Sequence, residues 1–270
     1  MKTALYVRNE NLLCDERYLA LKSSLEASGC EVFCPEAGEK LEEGTDMVVS
    51  VGGDGTFLSS LRLVRDSGIP VLGVNLGRLG FLSENRPEAA LGAILSGDYR
   101  IEDRSVLKAE AGLPADFWPY ALNEITVSRK GAAMLGVDVA IDGVTLPTYW
   151  ADGLIVATSS GSTAYSLSVG GPIVMPDSKV LIVSPIAPHN LNVRPLVIPD
   201  TSVLELSFRA REKTLDFTVD NRTYEIDAGK RIRVSLAQFS LKRVRLKNSN
   251  FINALTGKLY WGEDLRNNEK

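Results

Sequence analysis

The sequence predicts two parts of different fold class: an α/β N-terminal domain with a mostly parallel sheet, and a β-rich C-terminal domain of antiparallel, sandwich-like strands. Over roughly the first hundred residues, short apolar runs alternate with stretches of helical periodicity, which is typical of buried parallel strands joined by helices. Beyond about residue 104 the hydrophobic period becomes two, with turn residues between the runs. We predict domains over residues 1–100 and 101–245, and a tail over 246–270 that packs back on the N-terminal domain.

Apolar runs and helical faces place the elements of the N-terminal domain. The runs predict strands at residues 4–7, 32–34, 47–51 and 71–74. Between and after them, apolar residues spaced three and four apart predict three helices, which end near Gly29, Gly68 and Gly97. The second of these helices is expected to begin at Phe57, directly after a glycine-rich turn.

Alternating residues predict the strands of the C-terminal domain. The apolar side chains occupy every second position in runs at residues 137–141, 204–208, 215–219 and 232–236. The first run ends at an Asp142-Gly143 turn. This pattern indicates a meander of antiparallel strands that each bury one face.

Composition excludes several classes of function. The 270-residue chain has a formal net charge of −4 and an isoelectric point of about 5.3, which argues against a surface for nucleic acid or acidic membranes. The apolar run at the N-terminus is too short for a signal peptide, and no later run approaches the length of a membrane span. We therefore predict a cytoplasmic protein that binds neither nucleic acid nor membranes.

Three cysteines and one histidine limit the possible metal sites. Cys14, Cys30 and Cys34 are confined to the first strand–helix–strand region, and His189 is the only histidine. Because no second pair of ligands accompanies Cys30 and Cys34, we interpret the cysteines as small buried thiols. We expect no metal ion held by the protein's own side chains.

The most informative motif is the sequence Val-Val-Ser-Val-Gly-Gly-Asp-Gly-Thr at residues 48–56. A β-branched run enters a glycine-rich turn and then a helix, an order by which α/β proteins point backbone amides and the helix dipole at a phosphate. Asp54 is unexpected there, because a carboxylate repels the anion that such a turn attracts. It has a function if it binds a cation that accompanies the phosphates, or if it takes a proton from a hydroxyl that attacks them.

Either function of Asp54 indicates that the protein catalyses phosphoryl transfer. Gly53 and Gly55 are then expected to provide a positive φ angle or a close approach of the backbone to a phosphate. Two common nucleotide signatures are absent: the sequence has no Gly-x-x-x-x-Gly-Lys-Ser/Thr, and Leu58 stands where a dinucleotide fingerprint has its third glycine. A Walker-type phosphate loop is therefore excluded, and a hydride-transferring dehydrogenase is disfavoured.

Two polar segments in the C-terminal half are candidates for ligand binding. Asn123-Glu124 precedes a predicted strand, and an amide beside a carboxylate suits sugar hydroxyls, although such pairs also occur at solvated strand ends. The stretch over residues 152–172 runs from a strand into small hydroxyl residues and a short helical turn. It offers amide and hydroxyl donors close to the main chain, and the alternative interpretation is a Ser/Thr-rich loop with a helix cap.

Taken in order, these motifs resemble those of the NAD kinase family over nearly the whole chain. The glycine motif at residues 52–56 is similar to that of the family, and lipid kinases share it. Further motifs of the family are matched by residues 73–82, 122–124, 152–172, 184–189 and 194–196. Leu255, Lys258, Leu259 and Trp261 fit its C-terminal ending.

The resemblance implies transfer of the γ-phosphoryl group of ATP, bound with Mg²⁺, to the 2′-hydroxyl of the adenosine ribose of NAD, which gives NADP. It implies an active site between the two domains and a homo-oligomer, a dimer or a tetramer. Asp54 would be the base near the 2′-hydroxyl, Phe81 would flank the adenosine, and Asp152 would meet the nicotinamide end. The other positions that the resemblance assigns to binding are Gly55, Asn123, Glu124, Thr163, Ala164, Tyr165, Ser168 and Ala187.

Met134, Trp150 and Arg222 depart from the pattern of the family. Arg222 could reach a phosphate as a bidentate donor, and Trp150 could stack on a ring. Two alternatives to a dinucleotide kinase stay open. A lipid or other small-alcohol kinase would need an extended apolar groove, whereas residues 152–168 are small and polar. A non-catalytic NAD(P)-binding regulator would not need Asp54 and Asn123-Glu124, which are present.

Overall fold

The computed structural model describes residues 1–35, 40–78, 80–110, 117–259 and 261. The chain divides into two compact units, one formed by residues 1–103 together with the chain from residue 242 onward, and one formed by residues 104–241. The predicted domain limits at residues 100 and 245 lie within a few residues of this division. Leu79, in the motif at residues 73–82, lies outside the described residues.

The first unit begins as an alternation of strands and helices. Its strands are β1 (Lys2–Tyr6), β2 (Glu31–Phe33), β3 (Met47–Val51), β4 (Val71–Val74) and β5 (Tyr99–Arg104). Its helices are α1 (Glu16–Ala27), α2 (Asp54–Val64) and α3 (Pro87–Ser96), and a short 3-10 helix spans Glu10–Cys14. Helix α2 starts three residues before the predicted Phe57, because Gly53 serves as its N-cap, and it ends before Arg65, which has a positive φ of 47°.

The second unit is built from short antiparallel strands. They are β6 (Leu107–Glu110), β7 (Tyr120–Ala121), β8 (Glu124–Ser128), β9 (Leu135–Ile141), β10 (Val144–Thr145), β11 (Tyr149–Ala151), β12 (Gly153–Thr158), β13 (Val180–Ile186), β14 (Leu196–Pro199), β15 (Leu204–Arg209), β16 (Thr214–Val219), β17 (Arg222–Asp227) and β18 (Ile232–Leu236). Between β12 and β13 lie a 3-10 helix, Ser160–Thr163, and helix α4, Tyr165–Ser168.

These strands form two sheets, of order β10-β9-β15-β18-β6-β7, with β11 beside β9, and of order β14-β13-β12-β8-β16-β17. One hydrophobic core draws buried residues from both sheets, for example Leu107 and Val137 from the first and Ile125 and Phe217 from the second. A shared core between two antiparallel sheets is the arrangement of a β-sandwich. The predicted fold class of the C-terminal half is confirmed.

The chain then returns to the first unit. Strand β19 (Leu241–Leu246) lies between β4 and β5, so the first sheet has the order β2-β1-β3-β4-β19-β5. The pairs β1-β2, β1-β3, β3-β4 and β4-β19 are parallel, which confirms the predicted sheet. Helix α5 (Phe251–Leu259) follows and packs on this unit through contacts of Phe251 and Lys258 with the segment 80–81, as predicted for the tail. None of the helices within the described ranges has the length and apolar character that a bilayer crossing requires.

The cysteines are not buried. Cys14 and Cys34 are exposed and Cys30 is partly buried. Cys34 lies after the short strand β2, at an edge of the sheet, where its Sγ is 3.2 Å from the Tyr18 hydroxyl. The prediction of buried thiols was wrong, because Cys14 lies on a 3-10 helix that has no buried residue, while Cys30 and Cys34 flank β2, an edge strand that is covered only in part.

Candidate active site

The glycine turn joins β3 to α2 and is shaped by Gly52. Gly52 has a φ of 149°, and a Cβ atom there would lie 2.4 Å from Thr56 Oγ1. Neither Gly53 nor Gly55 has a positive φ, so of the two predicted reasons for these glycines only a close approach of the backbone to a phosphate remains. A Cβ atom on Gly53 would meet no heavy atom of the described residues within 4 Å, and one on Gly55 would have Arg8 Nη1 as its nearest neighbour, at 3.8 Å. These two positions therefore leave open space for a ligand beside the backbone.

Asp54 is held by the loop that follows the neighbouring strand. Strands β3 and β4 are parallel and in register up to Val51 and Val74, so the loops at their carboxyl ends meet. The Asp54 carboxylate accepts hydrogen bonds from the backbone amides of Phe81 (2.9 Å), Leu82 (3.0 Å) and Ser83 (2.8 Å). We call the carboxylate and these three amides the Asp54 cradle.

The Asp54 cradle corrects one premise of the sequence interpretation. The sequence suggests an unpaired carboxylate in a turn built for anions, but Asp54 is itself the anion that a run of backbone amides binds. Gly80 permits this contact, since a Cβ atom there would lie 2.0 Å from Asp54 Oδ1. Asp54 stays partly exposed, and Oδ2 accepts only one of the three bonds. Oδ2 of this fixed and accessible carboxylate therefore keeps a lone pair that can accept a hydrogen bond from a ligand.

Cationic side chains hold the carbonyl groups of the same loop. Arg243, on β19, is buried and donates to the carbonyl oxygens of Phe81 (2.9 Å) and Leu82 (3.3 Å), and to Glu84 Oε1 (2.8 Å). Lys258, on α5, donates to the carbonyl oxygen of Gly80, and its Nζ lies 5.0 Å from the centre of the Phe81 ring. Burial lowers the pKa of Lys258. The loop is thus fixed through its amides by Asp54 and through its carbonyls by β19 and α5.

In the second unit, a matching arrangement fixes the Asn123-Glu124 pair. The carboxylate of Asp220 accepts hydrogen bonds from the amides of Leu122 (2.8 Å), Asn123 (2.8 Å) and Glu124 (3.2 Å). The amide of Asp220 donates in return to the carbonyl of Glu124 at 2.9 Å. Asp220 is buried, with 7% of its surface exposed, and follows strand β16 with a positive φ of 51°. We call this carboxylate and its three amides the Asp220 cradle.

The side chains that the Asp220 cradle presents have unused hydrogen-bonding atoms. Asn123 Oδ1, Glu124 Oε2 and Ser160 Oγ are buried and have no hydrogen-bond partner among the described residues. Buried polar atoms are nearly always paired, so three orphan atoms in one region indicate a place where a polar ligand binds. Burial, with the Asp220 charge as a second cause, raises the pKa of Glu124 to about 8. Glu124 is therefore protonated at neutral pH and can donate a hydrogen bond, which an ionised carboxylate cannot.

The segment after β12 closes this region. Strand β12 is antiparallel to β8, with Ala157 opposite Glu124, so the end of β12 meets the start of β8. Thr158 Oγ1 donates to the carbonyl of Leu122 at 2.6 Å, and the backbone amide of Tyr165 hydrogen-bonds the Glu124 carboxyl. The structure thus brings Tyr165, and with it the short helices that carry Thr163, Ala164 and Ser168, to the Asn123-Glu124 pair. Tyr165 and Ser168 are exposed.

Asp152 and Ala187 lie at the opposite end of strand β12. The amide of Asp152 donates to the carbonyl of Ile186 at 2.9 Å, and Asp152 Oδ1 accepts from Arg129 Nε at 2.7 Å, which lowers the pKa of Asp152. Ala187 has a positive φ of 44°, an unfavourable angle for a residue with a Cβ atom. The six residues of β12 separate this pair from Thr158 by about 20 Å at about 3.3 Å per residue. The predicted binding residues therefore form two groups along one strand.

Arg222 and Trp150 are engaged within the protein. Arg222 donates to the carbonyl oxygens of Trp118 (2.9 Å) and Tyr120 (2.6 Å), so the hypothesis that it serves as a bidentate phosphate donor is not supported. Trp150 stands opposite Gly136 on the neighbouring strand, and its ring fills the space above that glycine. Its ring is therefore used in cross-strand packing. Within the described ranges, no group of three or more His, Cys, Asp and Glu side chains is placed to hold a metal ion.

Four residues that shape these regions have no individual role in the sequence analysis: Ser160, Asp220, Arg243 and Lys258. Asp220 had one local signal, because Asp-Asn between two alternating runs predicts a turn in which aspartate accepts backbone amides. Ser160 is one hydroxyl among many in its segment. The two cations had no local signal, since their partners are carbonyl groups about 160 to 180 residues away.

The two units carry the two kinds of group that a phosphotransferase acting on a hydroxyl requires. One is a glycine turn that ends in a fixed carboxylate, and the other is a set of buried polar atoms suited to a sugar. The sequence matches the family models of the ATP-NAD kinase N-terminal domain over residues 11–98 and of the ATP-NAD kinase C-terminal domain over residues 122–246.

Individual relatives agree with the family match. The chain is 42% identical to an NAD kinase of Flavobacterium psychrophilum over 84% of this chain and 80% of the relative. It is 40% identical to an NAD kinase of Christiangramia forsetii, over 96% of this chain and 91% of that one. The chain belongs to the NAD kinase family.

Solved structures show the same fold. The crystal structure of an NAD kinase from Archaeoglobus fulgidus in complex with ATP has a TM-score of 0.81 at 30% identity, and covers 96% of this chain and 99% of its own. A yeast NADH kinase complexed with NADH has a TM-score of 0.84 at 22% identity, and covers 98% of this chain and 89% of its own. These similarities confirm the predicted fold class for both halves of the chain.

Proposed function

We propose that this protein transfers the γ-phosphoryl group of ATP to the 2′-hydroxyl of the adenosine ribose of NAD and so produces NADP. The observation that carries the proposal is the Asp54 cradle: a partly exposed carboxylate, fixed by three amides, at the first residue of a helix that follows a glycine turn. The family matches point to the same reaction. The matched proteins are named as NAD kinases, which gives no support to a lipid kinase.

The donor is assigned to the first unit. The first amides of helix α2 have no acceptor within the helix, and the helix dipole favours an anion at this end. The open space beside Gly53 and Gly55 lets the backbone approach a phosphate without a clash. ATP enters as its Mg²⁺ complex, in which the ion neutralises charge that develops on the phosphates. We therefore treat the magnesium ion as part of the substrate.

The acceptor is assigned to the second unit. Asn123 Oδ1 and Glu124 Oε2 lack partners within the described chain and would pair with the hydroxyl groups of a ribose. Asp152 would meet the nicotinamide end, and we assign Ala187 to the same end because the two residues share the far end of β12. The exposed residues Tyr165 and Ser168, with Thr163 and Ala164, would line the adenosine part.

Asp54 is the proposed base. Its free lone pair takes the proton of the 2′-hydroxyl while the hydroxyl oxygen attacks the γ-phosphorus, and ADP leaves with the electrons of the broken bond. The hydrogen bonds from Phe81, Leu82 and Ser83 fix the orientation of the carboxylate and leave it without the freedom to turn away. Phe81 would flank the adenosine, since its ring is partly exposed and is steadied by Lys258 and by Phe251, whose ring centre is 6.2 Å away.

Self-association and a cytoplasmic location complete the proposal. Strand β14 is an edge strand of its sheet and exposes Leu196 and Val197. Such an edge is commonly covered by another chain, so a homodimer or homotetramer is expected. Sedimentation at several protein concentrations measures this assembly, and a monomer at all of them would contradict it.

The test of the proposed function is direct. Purified protein is incubated with ATP, Mg²⁺ and NAD, and NADP is measured with an NADP-specific dehydrogenase. NADP formation with NAD and no phosphorylation of diacylglycerol is the expected result. Phosphorylation of diacylglycerol alone would identify a lipid kinase. Binding of NAD with no NADP formed would identify a non-catalytic regulator.

A further inference from the structure

The Asn123-Glu124 pair sits on a backbone that one buried side chain controls. Asp220 binds three consecutive amides of residues 122–124, and its own amide returns a hydrogen bond to Glu124. The orientation of the Asn123 and Glu124 side chains follows from this backbone. A shift of the pair would leave the charge of Asp220 buried and unpaired, which is costly. Asp220 therefore fixes the orientation of the Asn123 and Glu124 side chains by holding the backbone that carries them.

Asp220 also acts on Glu124 through its charge. The Asp220 carboxylate accepts the Glu124 amide at 3.2 Å and both residues are buried, and two neighbouring carboxyl groups in a buried site do not both ionise readily. Burial raises the pKa of Glu124 to about 8 and that of Asp220 to about 6, and the amide bonds and Arg222 favour the ionised form of Asp220. At neutral pH the proton of the pair is on Glu124.

The elements packed around Glu124 add few other charges. In strand β12 and the following segment up to Ser168, the only ionisable side chain is that of Tyr165. Tyr165 contacts the Glu124 carboxyl group through its backbone amide. On strand β16 the one charged residue is Asp216, which stands opposite Ser128, at the far end of β8. On β17, Arg222 lies next to Asp220. Asp220 is thus the charged group that adds to burial in raising the pKa of Glu124.

We propose that Asp220 is a positioning residue that fixes the backbone of residues 122–124 and keeps the Glu124 side chain protonated, so that Glu124 donates as well as accepts hydrogen bonds to the ribose hydroxyls of a dinucleotide. A neutral carboxyl group suits a ribose, because each hydroxyl is both donor and acceptor. It also spares the negative phosphates of the dinucleotide the repulsion of a buried carboxylate. The inference rests on the proposed function, since the ligand is NAD.

The first experiment measures NAD affinity by calorimetry as a function of pH. Because Glu124 loses its proton as the pH rises through about 8, affinity is constant from neutral pH up to this value and falls above it, by up to about tenfold per pH unit. Glu124→Gln imitates the protonated group, so it removes the pH dependence and weakens binding at least tenfold less than Glu124→Ala. Equal weakening by the Gln and Ala variants would overturn the proposal.

The second experiment tests Asp220 itself. Asp220→Asn removes the charge that, together with burial, raises the pKa of Glu124, so the pH midpoint of the fall in NAD affinity is expected to shift. Asp227→Asn is the matched control. Loss of a neighbouring negative charge favours ionisation of Glu124, so the midpoint moves to lower pH. Asp227 is an exposed aspartate of the same hairpin that accepts the Gly229 amide at 2.7 Å, and its substitution leaves the midpoint unchanged. An unchanged midpoint in Asp220→Asn would overturn the proposed control of Glu124 by charge.

A third measurement does not depend on the Asp220 variant folding, or on the proposed function. Infrared spectroscopy of the wild-type protein detects the carbonyl band of a protonated carboxyl group, and this band is expected to titrate near pH 8 and to be absent in Glu124→Gln. Absence of the band at neutral pH in the wild type would overturn the proposal. Presence of the band in a protein that forms no NADP would refute the proposed function and leave the protonation of Glu124 established.

Discussion

Asp54 and Asp220 bind the backbone in the same way, yet they lie in different surroundings. Each carboxylate accepts three consecutive amides, two through Oδ1 and one through Oδ2. Asp54 stays partly exposed beside an open glycine turn, whereas Asp220 is 7% exposed and has a carboxyl neighbour. Asp54 can therefore offer a lone pair to a substrate, while Asp220 can only act through the residues it holds.

Hydrogen bonds alone do not identify a reacting carboxylate. Exposure and neighbouring charge separate the two roles: a base needs access to the proton that it takes, and a positioning residue needs burial. The Asp54 cradle is expected to control the chemical step, and the Asp220 cradle to control binding of the acceptor. Four variants, taken from the largest expected effect to the smallest, test this difference.

Asp54→Asn is expected to lower kcat by at least about 100-fold, because a general base contributes about 10²–10⁴ in rate. The KM for NAD is expected to hold. The free energy of unfolding is expected to fall by about 1–3 kcal/mol, since the new amide group cannot accept the Phe81 amide as Oδ2 does. Asp15→Asn is the control, because Asp15 caps helix α1 through the Arg17 amide and lies outside the cradle. Loss of stability with normal kcat would make Asp54 a structural residue.

Gly55→Val tests the donor side of the Asp54 cradle. The position has open space and a helical backbone, so the protein is expected to fold, while the KM for ATP rises at least about tenfold or ATP use is lost. Gly52→Ala is the contrasting variant, since Gly52 has a positive φ and an added Cβ atom would lie 2.4 Å from Thr56 Oγ1, which predicts a strongly destabilised protein. Thermal unfolding separates the two effects. Normal ATP kinetics in a folded Gly55→Val protein would contradict a phosphate at this turn.

Asn123→Ala tests the acceptor side. Removing one partner of a buried hydrogen bond costs about 1–3 kcal/mol, so the KM for NAD is expected to rise several-fold or more. The KM for ATP serves as the internal control and is expected to change little. Equal changes in both KM values would mean that Asn123 supports the fold of the second unit.

Lys258→Met is expected to lower kcat about three- to tenfold, because the Gly80 carbonyl and the Phe81 ring lose a cation that steadies the Asp54 cradle. Lys258→Arg retains the charge and is expected to restore most of the rate. Lys247→Met is the matched control, since Lys247 forms an exposed ion pair with Asp98. A reduced rate in both methionine variants would point to a general loss of charge.

Local patterns predicted much of the molecule. The β-branched run of β3, the glycine turn after it and the alternating strands of the second unit were all predicted, since each has its signal in adjacent residues. The Asn123-Glu124 pair was recognised for the same reason. The two cradles were not predicted, because they join residues 27 to 29 and 96 to 98 positions apart.

The partners of the two aspartates explain why no pattern revealed them. They are backbone amides, and every residue except proline carries one, so the amide side of each cradle has no characteristic residue type. The same holds for the carbonyl groups that Arg243 and Lys258 bind. The exposure of the cysteines was missed for another reason, because whether an edge strand is covered depends on elements elsewhere in the chain.

The most direct test of the account compares steady-state kinetics of Asp54→Asn and Asp220→Asn side by side, with NAD varied at saturating ATP. We expect Asp54→Asn to lose kcat at least about 100-fold while its KM for NAD holds. For Asp220→Asn we expect a several-fold or larger rise in the KM for NAD that exceeds the fall in kcat. The same pattern of change in both variants would contradict the assignment of chemistry to one cradle and of acceptor binding to the other.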